Sequence, residues 1–287
     1  MMSTLAVVLV AAFSADGLTT GPMETVGEGF QFTEGPLWLP SGEWIFSDIP
    51  ADTIFKADKT VFRNPSGKSN GLTLDPQGRL IACEHGNRRV TRTEAGGVVT
   101  VLADSYMGKK LNSPNDACVR ADGTVYFTDP QYGLEGREPE VGVNGVYMIS
   151  PGGDLTRALD DFNAPNGIVL SPDEKLLYVA DTNKSHIRAF DVAADGTLGK
   201  GRVWCSVSFP DGIRVDTLGR VWATSSNGVA VYGTDGKLIE TLKFPQAPAN
   251  CAFGGADGKT LYVTARTGVY SVTVTASGIH PASRVAR

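Results

Sequence analysis

No apolar run in this 287-residue chain approaches the roughly 18 residues that a membrane-spanning helix needs; the longest, Leu5 to Phe13, has nine. A membrane partner through a spanning helix is excluded on that ground. Basic clusters are scarce as well. Lys and Arg total 26 against 31 Asp and Glu, a net charge of −5, and only RRVTR at Arg88 to Arg92 gathers positive charge. A protein that grips phosphate backbones depends on such clusters, so nucleic acid is excluded as a partner. Cysteine is confined to Cys83, Cys118, Cys205 and Cys251, with no CxxC or other metal-ligand spacing, and the expectation is buried free thiols. No G-x-G-x-x-G follows a strand, so no dinucleotide cofactor is implied. Long stretches with helical spacing are also missing, whereas glycine is abundant at 34 residues, about 12% against a usual 7% or so. The chain turns often and, at 41% hydrophobic and 20% charged, has the balance of a soluble globular protein.

The N-terminal LAVVLVAAF, followed by the small residues Ser14 and Ala15, is similar to the apolar core and cleavage region of a secretory signal, although no Lys or Arg precedes it. The expectation is an N-terminal extension or signal segment over residues 1–20, then a single domain over 21–287. A periplasmic or secreted location follows in preference to a cytoplasmic one.

An internal repeat organises the rest. The short motifs TEG, SNG, PND, PNG, PDG and PAN align on Glu34, Asn70, Asn115, Asn166, Asp211 and Asn250, at intervals of 36, 45, 51, 45 and 39 residues. Eight residues after each anchor stand Gly42, Gly78, Gly123, Glu174, Gly219 and Gly258, five of the six being glycine in turn sequences such as DPQG and RADG. Alternating residues precede each turn and an apolar run follows it (WIF, LIA, VYF, LLYV, VWA, LYV), so each unit opens with a β-hairpin. Third strands are visible as TIFKA, RVTRT, GVYMI, HIRAF, GVAVY and GVYSV, and fourth strands as VVTVLA and LIETLKF. Six four-stranded antiparallel units of about 43 residues predict an all-β, six-bladed β-propeller. A two-sheet sandwich would not repeat a polar residue at a fixed phase. The last unit has three clear strands, so a segment near Met23 to Phe32 is expected to complete a blade.

First strands line the channel of a propeller, which places the six anchors in a ring about its axis. Every member carries a carbonyl or carboxylate oxygen, and Glu34 and Asp211 are anionic, a set suited to a hard divalent cation. Asn or Asp before glycine also stabilises turns, an explanation that covers Asn70 and Asn250 but not Glu34. Fourteen residues beyond the first three anchors stand Asp48, Glu84 and Asp129, with Asp181 one further along in the fourth unit, acids expected to return to the same face. Asp129, in FTDPQYG beside Asn115, is the one singled out for a role, and His85 is the histidine at this face. GKSNG at Gly67 to Gly71 matches the G-x-S-x-G nucleophile pattern, but strand residues, not a helix, follow it, so Ser69 is not read as a nucleophile.

FTEGPLWLPSGEWIFSDIP, LNSPNDACVRADGTVYFTDPQYGL, PNGIVLSPDEKLLYVADT and PDGIRVDTLGRVWAT together resemble the gluconolactonase/regucalcin family of six-bladed propellers, also called the senescence-marker-protein family, from about Val26 to Tyr270. The FSDIP, LNSPND and FTDPQYG variants are more similar to its bacterial gluconolactonases. The resemblance implies carbohydrate metabolism: hydrolysis of a sugar-acid lactone with one divalent cation, Ca2+ first and Mg2+, Mn2+, Zn2+ or Fe2+ as alternatives. It implies Glu34, Asn166 and Asp211 as metal ligands and Asn115 as a substrate contact. Regucalcin-like members carry an arginine two residues before that asparagine, where this chain has Ser113. Asp211 is expected as general base, with Asp129 as second choice, and Asn70, His85, Asp129 and Tyr132 as substrate-binding residues beside Asn115. Two other readings stand beside it: an esterase or organophosphate hydrolase using the same ring, and a non-catalytic propeller that binds calcium or a protein.

Overall fold

The computed structural model describes residues 17–283, so the reading of residues 1–16 as an extension or signal lies outside the described residues. Six four-stranded antiparallel sheets form a closed ring, a six-bladed β-propeller. Blade one comprises Thr33–Trp38, Trp44–Asp48, Thr53–Lys56 and Val61–Arg63; blade two, Ser69–Leu74, Leu80–Glu84, Arg89–Thr93 and Val99–Ala103. Blade three comprises Ala117–Val119, Val125–Asp129, Asn144–Ile149 and Leu155–Phe162; blade four, Pro165–Leu170, Leu176–Asp181, His186–Asp191 and Arg202–Ser206. Blade five comprises Ile213–Val215, Val221–Ser225, Gly228–Tyr232 and Leu238–Leu242. Blade six takes Asn250–Gly254, Thr260–Ala265 and Gly268–Thr273 from the C-terminal side, and Glu24–Glu28 pairs antiparallel with the last of these as its outer strand. The ring is thus closed by the segment expected between Met23 and Phe32, which joins the two ends of the chain in one sheet. Among the described residues the only helical segment is the 3-10 turn Pro281–Ser283.

The repeat has a physical cause at each end of the opening hairpin. Gly42, Gly78, Gly123, Gly219 and Gly258 have φ between +69° and +93°, and Glu174, the one non-glycine at this phase, sits at +59°. The left-handed conformation costs glycine nothing, which is why five of six turns use it. At the other end, a Cβ on Gly167 would overlap the backbone of Asp211 and Ile213 in the next blade. The glycine after an anchor therefore lets neighbouring inner strands touch, and Gly167 N–H donates to Asp211 O at 3.0 Å across that contact.

Because each blade is covered on both faces, the second strands WIFSD, LIACE, VYFTD and VWATS are buried throughout, whereas the outer VFR and VTVLA are largely exposed or half-buried. Six apolar clusters form the core, one in each gap between blades. Phe127 stacks on Tyr147 with ring centroids 5.4 Å apart, filling the gap between blades two and three. Truncating such a ring costs about 3–5 kcal/mol. All four cysteines are buried free thiols. Packing between blades, not an ion, accounts for the bulk of the stability.

Candidate functional site

Five of the six anchors open onto one cavity of about 340 Å3 at a mouth of the central channel: Glu34, Asn70, Asn115, Asn166 and Asp211. That volume is within the range of about 300–1,000 Å3 usual for small-molecule pockets. A larger hollow of about 490 Å3 at the far end, around Trp38, Phe253 and His280, has Asp257 as its sole carboxylate and gathers no such set. Asn250, the sixth anchor, faces the ring and not the cavity: its amide donates to Glu34 Oε2 at 2.9 Å, while its own Oδ1 accepts the N–H of Cys251.

The anchors are fixed by the strands behind them. Asn115 N–H donates to Thr128 O at 2.8 Å, and Asp211 N–H to Thr224 O at 3.1 Å, tying each to the second strand of its blade. Thr128 Oγ1 reaches across to Asn166 O at 2.8 Å, and Thr182 Oγ1 donates to Pro210 O at 2.7 Å while accepting the Asn166 amide at 3.1 Å. Ser69 is wholly buried with its hydroxyl 2.8 Å from that of Ser47, which removes it as a nucleophile.

The electrostatics explain why this place resembles a cation site. Glu34 is buried, and burial first, then the charge of Asp211, holds its carboxyl well above the usual range; the N–H of Gly35 and the amide of Asn250 oppose this only in part. Asp211 is pushed up to about 7, again by burial first and by the charge of Asp116, with the Asn166 amide opposing. Beneath them Asp116 is paired with Arg214, whose Nη1 donates at 3.0 Å. Glu34, Asp211 and Asp116 thus face one guanidinium, leaving two uncompensated negative charges when all are ionised. A further acceptor, Asn70 Oδ1, is buried at the cavity without a hydrogen-bond partner. Among the described residues no three His, Cys, Asp or Glu side chains gather as a metal cluster; the donors here are two carboxylates and asparagine oxygens, which fit a hard divalent cation.

His85 and Tyr132 also line the cavity. Burial brings His85 down to about 4, so its ring is neutral near pH 7, with Nε2 lying 3.3 Å from the amide nitrogen of Asn70. Tyr132 stands on a loop held by Ser113, whose hydroxyl donates to Pro130 O at 2.6 Å and accepts Gly133 N–H at 2.9 Å. Serine at this position therefore braces the loop.

Asp129 corrects an expectation. It does not line the cavity: wholly buried, it accepts the N–H of Asn112 at 2.8 Å beneath the loop that precedes Asn115. Its carboxyl is pushed up to about 7 by burial, but no substrate or attacking water in the cavity meets it. The other acids at this phase behave alike. Asp48 accepts from Gln31 and Phe32 N–H, Asp181 from Asn163 and Ala164 N–H, and Glu84 from Asn87, Arg89 and Thr91. They return to the same end of the propeller and are spent on loop amides and side chains, because loops have closed over them. Missed by the sequence were the Asp116–Arg214 pair, Thr182, and the rim residues Lys68 and Glu135.

Fold and site define a small-molecule propeller whose chemistry is concentrated in a pocket of carboxylates and amides at one channel mouth. A sequence model of the SMP-30/Gluconolactonase/LRE-like region matches residues 32–267, and the chain belongs to that family. A gluconolactonase of Zymomonas mobilis is 32% identical over 88% of this chain and 81% of its own length. Bovine regucalcin is 29% identical over 83% and 84% respectively. Among solved structures, a gluconolactonase of Xanthomonas campestris superposes with a TM-score of 0.82 at 35% identity, covering 88% of this chain and 89% of that one.

Proposed function

We propose that this chain is a divalent-cation-dependent lactone hydrolase that opens a sugar-acid lactone to its aldonic acid. The observation that carries the reading is the convergence of Glu34, Asn115, Asn166 and Asp211 on one cavity in which two buried carboxylates have amides, not cations, as their nearest partners. The names of the gluconolactonase relatives at 32% and 35% identity support the substrate class.

Glu34, Asn166 and Asp211 would hold the cation, Ca2+ first among the candidates, which when bound supplies Lewis-acid polarisation of the lactone carbonyl. Asn115 orients the lactone through its amide, and Asn70, His85 and Tyr132 hold ring hydroxyls. Neutral His85 offers a donor or acceptor without adding charge. Asp211 takes a proton from the attacking water as the new C–O bond forms, and that proton passes to the ring oxygen when the ring C–O bond breaks. A side chain already biased toward protonation by burial is well placed to accept it.

An esterase or phosphotriesterase would use the same pocket, and a calcium- or protein-binding propeller would not turn over at all. Proton release in a pH-stat, from gluconolactone, xylonolactone and galactonolactone beside an aryl ester and a phosphotriester, separates the three. Faster release from at least one lactone than from either ester is expected; faster ester or phosphotriester cleavage, or none at all, would overturn the reading.

A further inference from the structure

Four charged side chains line the cavity: Glu34 and Asp211 at its floor, and Lys68 and Glu135 at its rim. The rim residues meet as an ion pair, Lys68 Nζ to Glu135 Oε1 at 2.6 Å, and remain 34% and 53% exposed. Exposed pairs of this kind add little stability, about 0–1 kcal/mol, so stability does not account for their placement.

Both are mounted on unusually rigid backbone. Lys68 has φ +51° and its N–H donates to Asp52 Oδ1 at 2.6 Å; Glu135 has φ +50°. Left-handed non-glycine residues persist where the surroundings impose them, and they concentrate at functional places. The surroundings here are Arg137, whose guanidinium donates to the carbonyls of Gly86, His85, Gly133 and Leu134, tying the loop of Glu135 to blade two. Arg137 is thereby consumed by backbone and offers the cavity no free positive charge.

Taking the lactone-hydrolase reading as its basis, we propose that Lys68 and Glu135 are specificity-determining residues. They bind the distal hydroxyls of an uncharged sugar lactone, Lys68 donating and Glu135 accepting, and Glu135 excludes lactones that carry an anionic distal group. The rim is neutral as a pair, and its one cation is already engaged by a carboxylate. A hydroxyl inserts into this donor and acceptor set at little cost. A phosphate in the same place meets Glu135 at close range, above a floor that holds no cationic side chain.

The test measures kcat and KM, after subtraction of spontaneous hydrolysis, for gluconolactone and for gluconolactone bearing a phosphate on its terminal hydroxyl. Wild type, Glu135→Gln, Glu135→Lys and Lys68→Met are each assayed loaded with cation. Wild type is expected to prefer the neutral lactone by about a hundredfold. Glu135→Gln should raise KM for the neutral lactone about fivefold, the loss of one hydrogen bond to a charged group, and improve kcat/KM for the phosphorylated one about tenfold. Glu135→Lys should improve it further, and Lys68→Met should worsen it. If the pair is only a strut for the loop, both substrates change together and the preference stays within about twofold in every variant, which would overturn the proposal while leaving lactone hydrolysis intact. Wild type that opens neither lactone would overturn the reading beneath it.

Discussion

Asp211→Asn in the cation-free protein should stabilise the fold, and by an amount that grows with pH. In the wild type, burial and the charge of Asp116 carry the Asp211 carboxyl from its ordinary 3.8 to about 7. Since the folded state holds this proton more tightly than the unfolded chain, the group costs nothing below about pH 4 and destabilises the fold progressively as pH rises to about 7. At about 1.36 kcal/mol per pH unit, that window corresponds to about 4 kcal/mol. Asparagine keeps nearly the same shape, never ionises, and relieves Glu34 of the second largest cause of its own rise. For a domain of this size about 2 °C of melting temperature accompanies each kcal/mol, so metal-stripped Asp211→Asn should melt about 8 °C above metal-stripped wild type at pH 8 and level with it near pH 4. Thermal unfolding in chelator across that range reads the difference, and subtracting the two curves cancels the surface carboxylates common to both. A cation at a hundredfold over its dissociation constant should return about 2.7 kcal/mol to wild type at pH 8. A difference curve flat from pH 4 to pH 8 would refute the account of Asp211 as a buried, uncompensated charge.

Other perturbations separate the roles of the remaining residues. Asp211→Asn saturated with cation should lose about a hundredfold or more in kcat, the contribution of a general base, whereas Asp129→Asn should alter stability and leave the pH dependence of kcat in place. Should the two variants behave the other way round, the proton acceptor has been misassigned. Glu34→Gln and Asn166→Ala should each weaken cation binding in calorimetry and abolish turnover with far-UV circular dichroism unchanged, since the core lies between the blades. His85→Gln should remove about 2 kcal/mol of the stability lost between pH 6.5 and pH 5, because burial holds His85 at about 4 in the fold, against 6.5 ordinarily, and its protonation opposes folding. Chemical denaturation at the two pH values checks this.

The six blades were legible because two local constraints recur: a left-handed turn at the phase of Gly42 and Gly78, and a close approach at the glycine after an anchor such as Asn166. Neither depends on distant sequence. The ring of oxygens followed from the same phase, and five of its six members do face the cavity. Strand phase says on which side a residue emerges, but not whether a loop then closes over it, and for this reason Asp48, Asp129 and Asp181 were placed at the right end and given the wrong company. Asp116 stands next to Asn115 but finds its partner 98 residues away in Arg214, a meeting that only closure of the ring produces. Lys68 and Glu135 belong to loops outside the repeat and share no phase with the anchors.

The central claim is that a cation held by Glu34, Asn166 and Asp211 is needed to open a lactone. Its most direct test is the rate of gluconolactone hydrolysis by exhaustively chelated protein, its residual metal verified by elemental analysis, as Ca2+ or another divalent ion is returned in measured equivalents. The rate should start near the spontaneous background, rise in proportion to added ion and level off at about one equivalent per chain, while Glu34→Gln stays at background throughout. Full turnover by the stripped wild-type protein would contradict the claim.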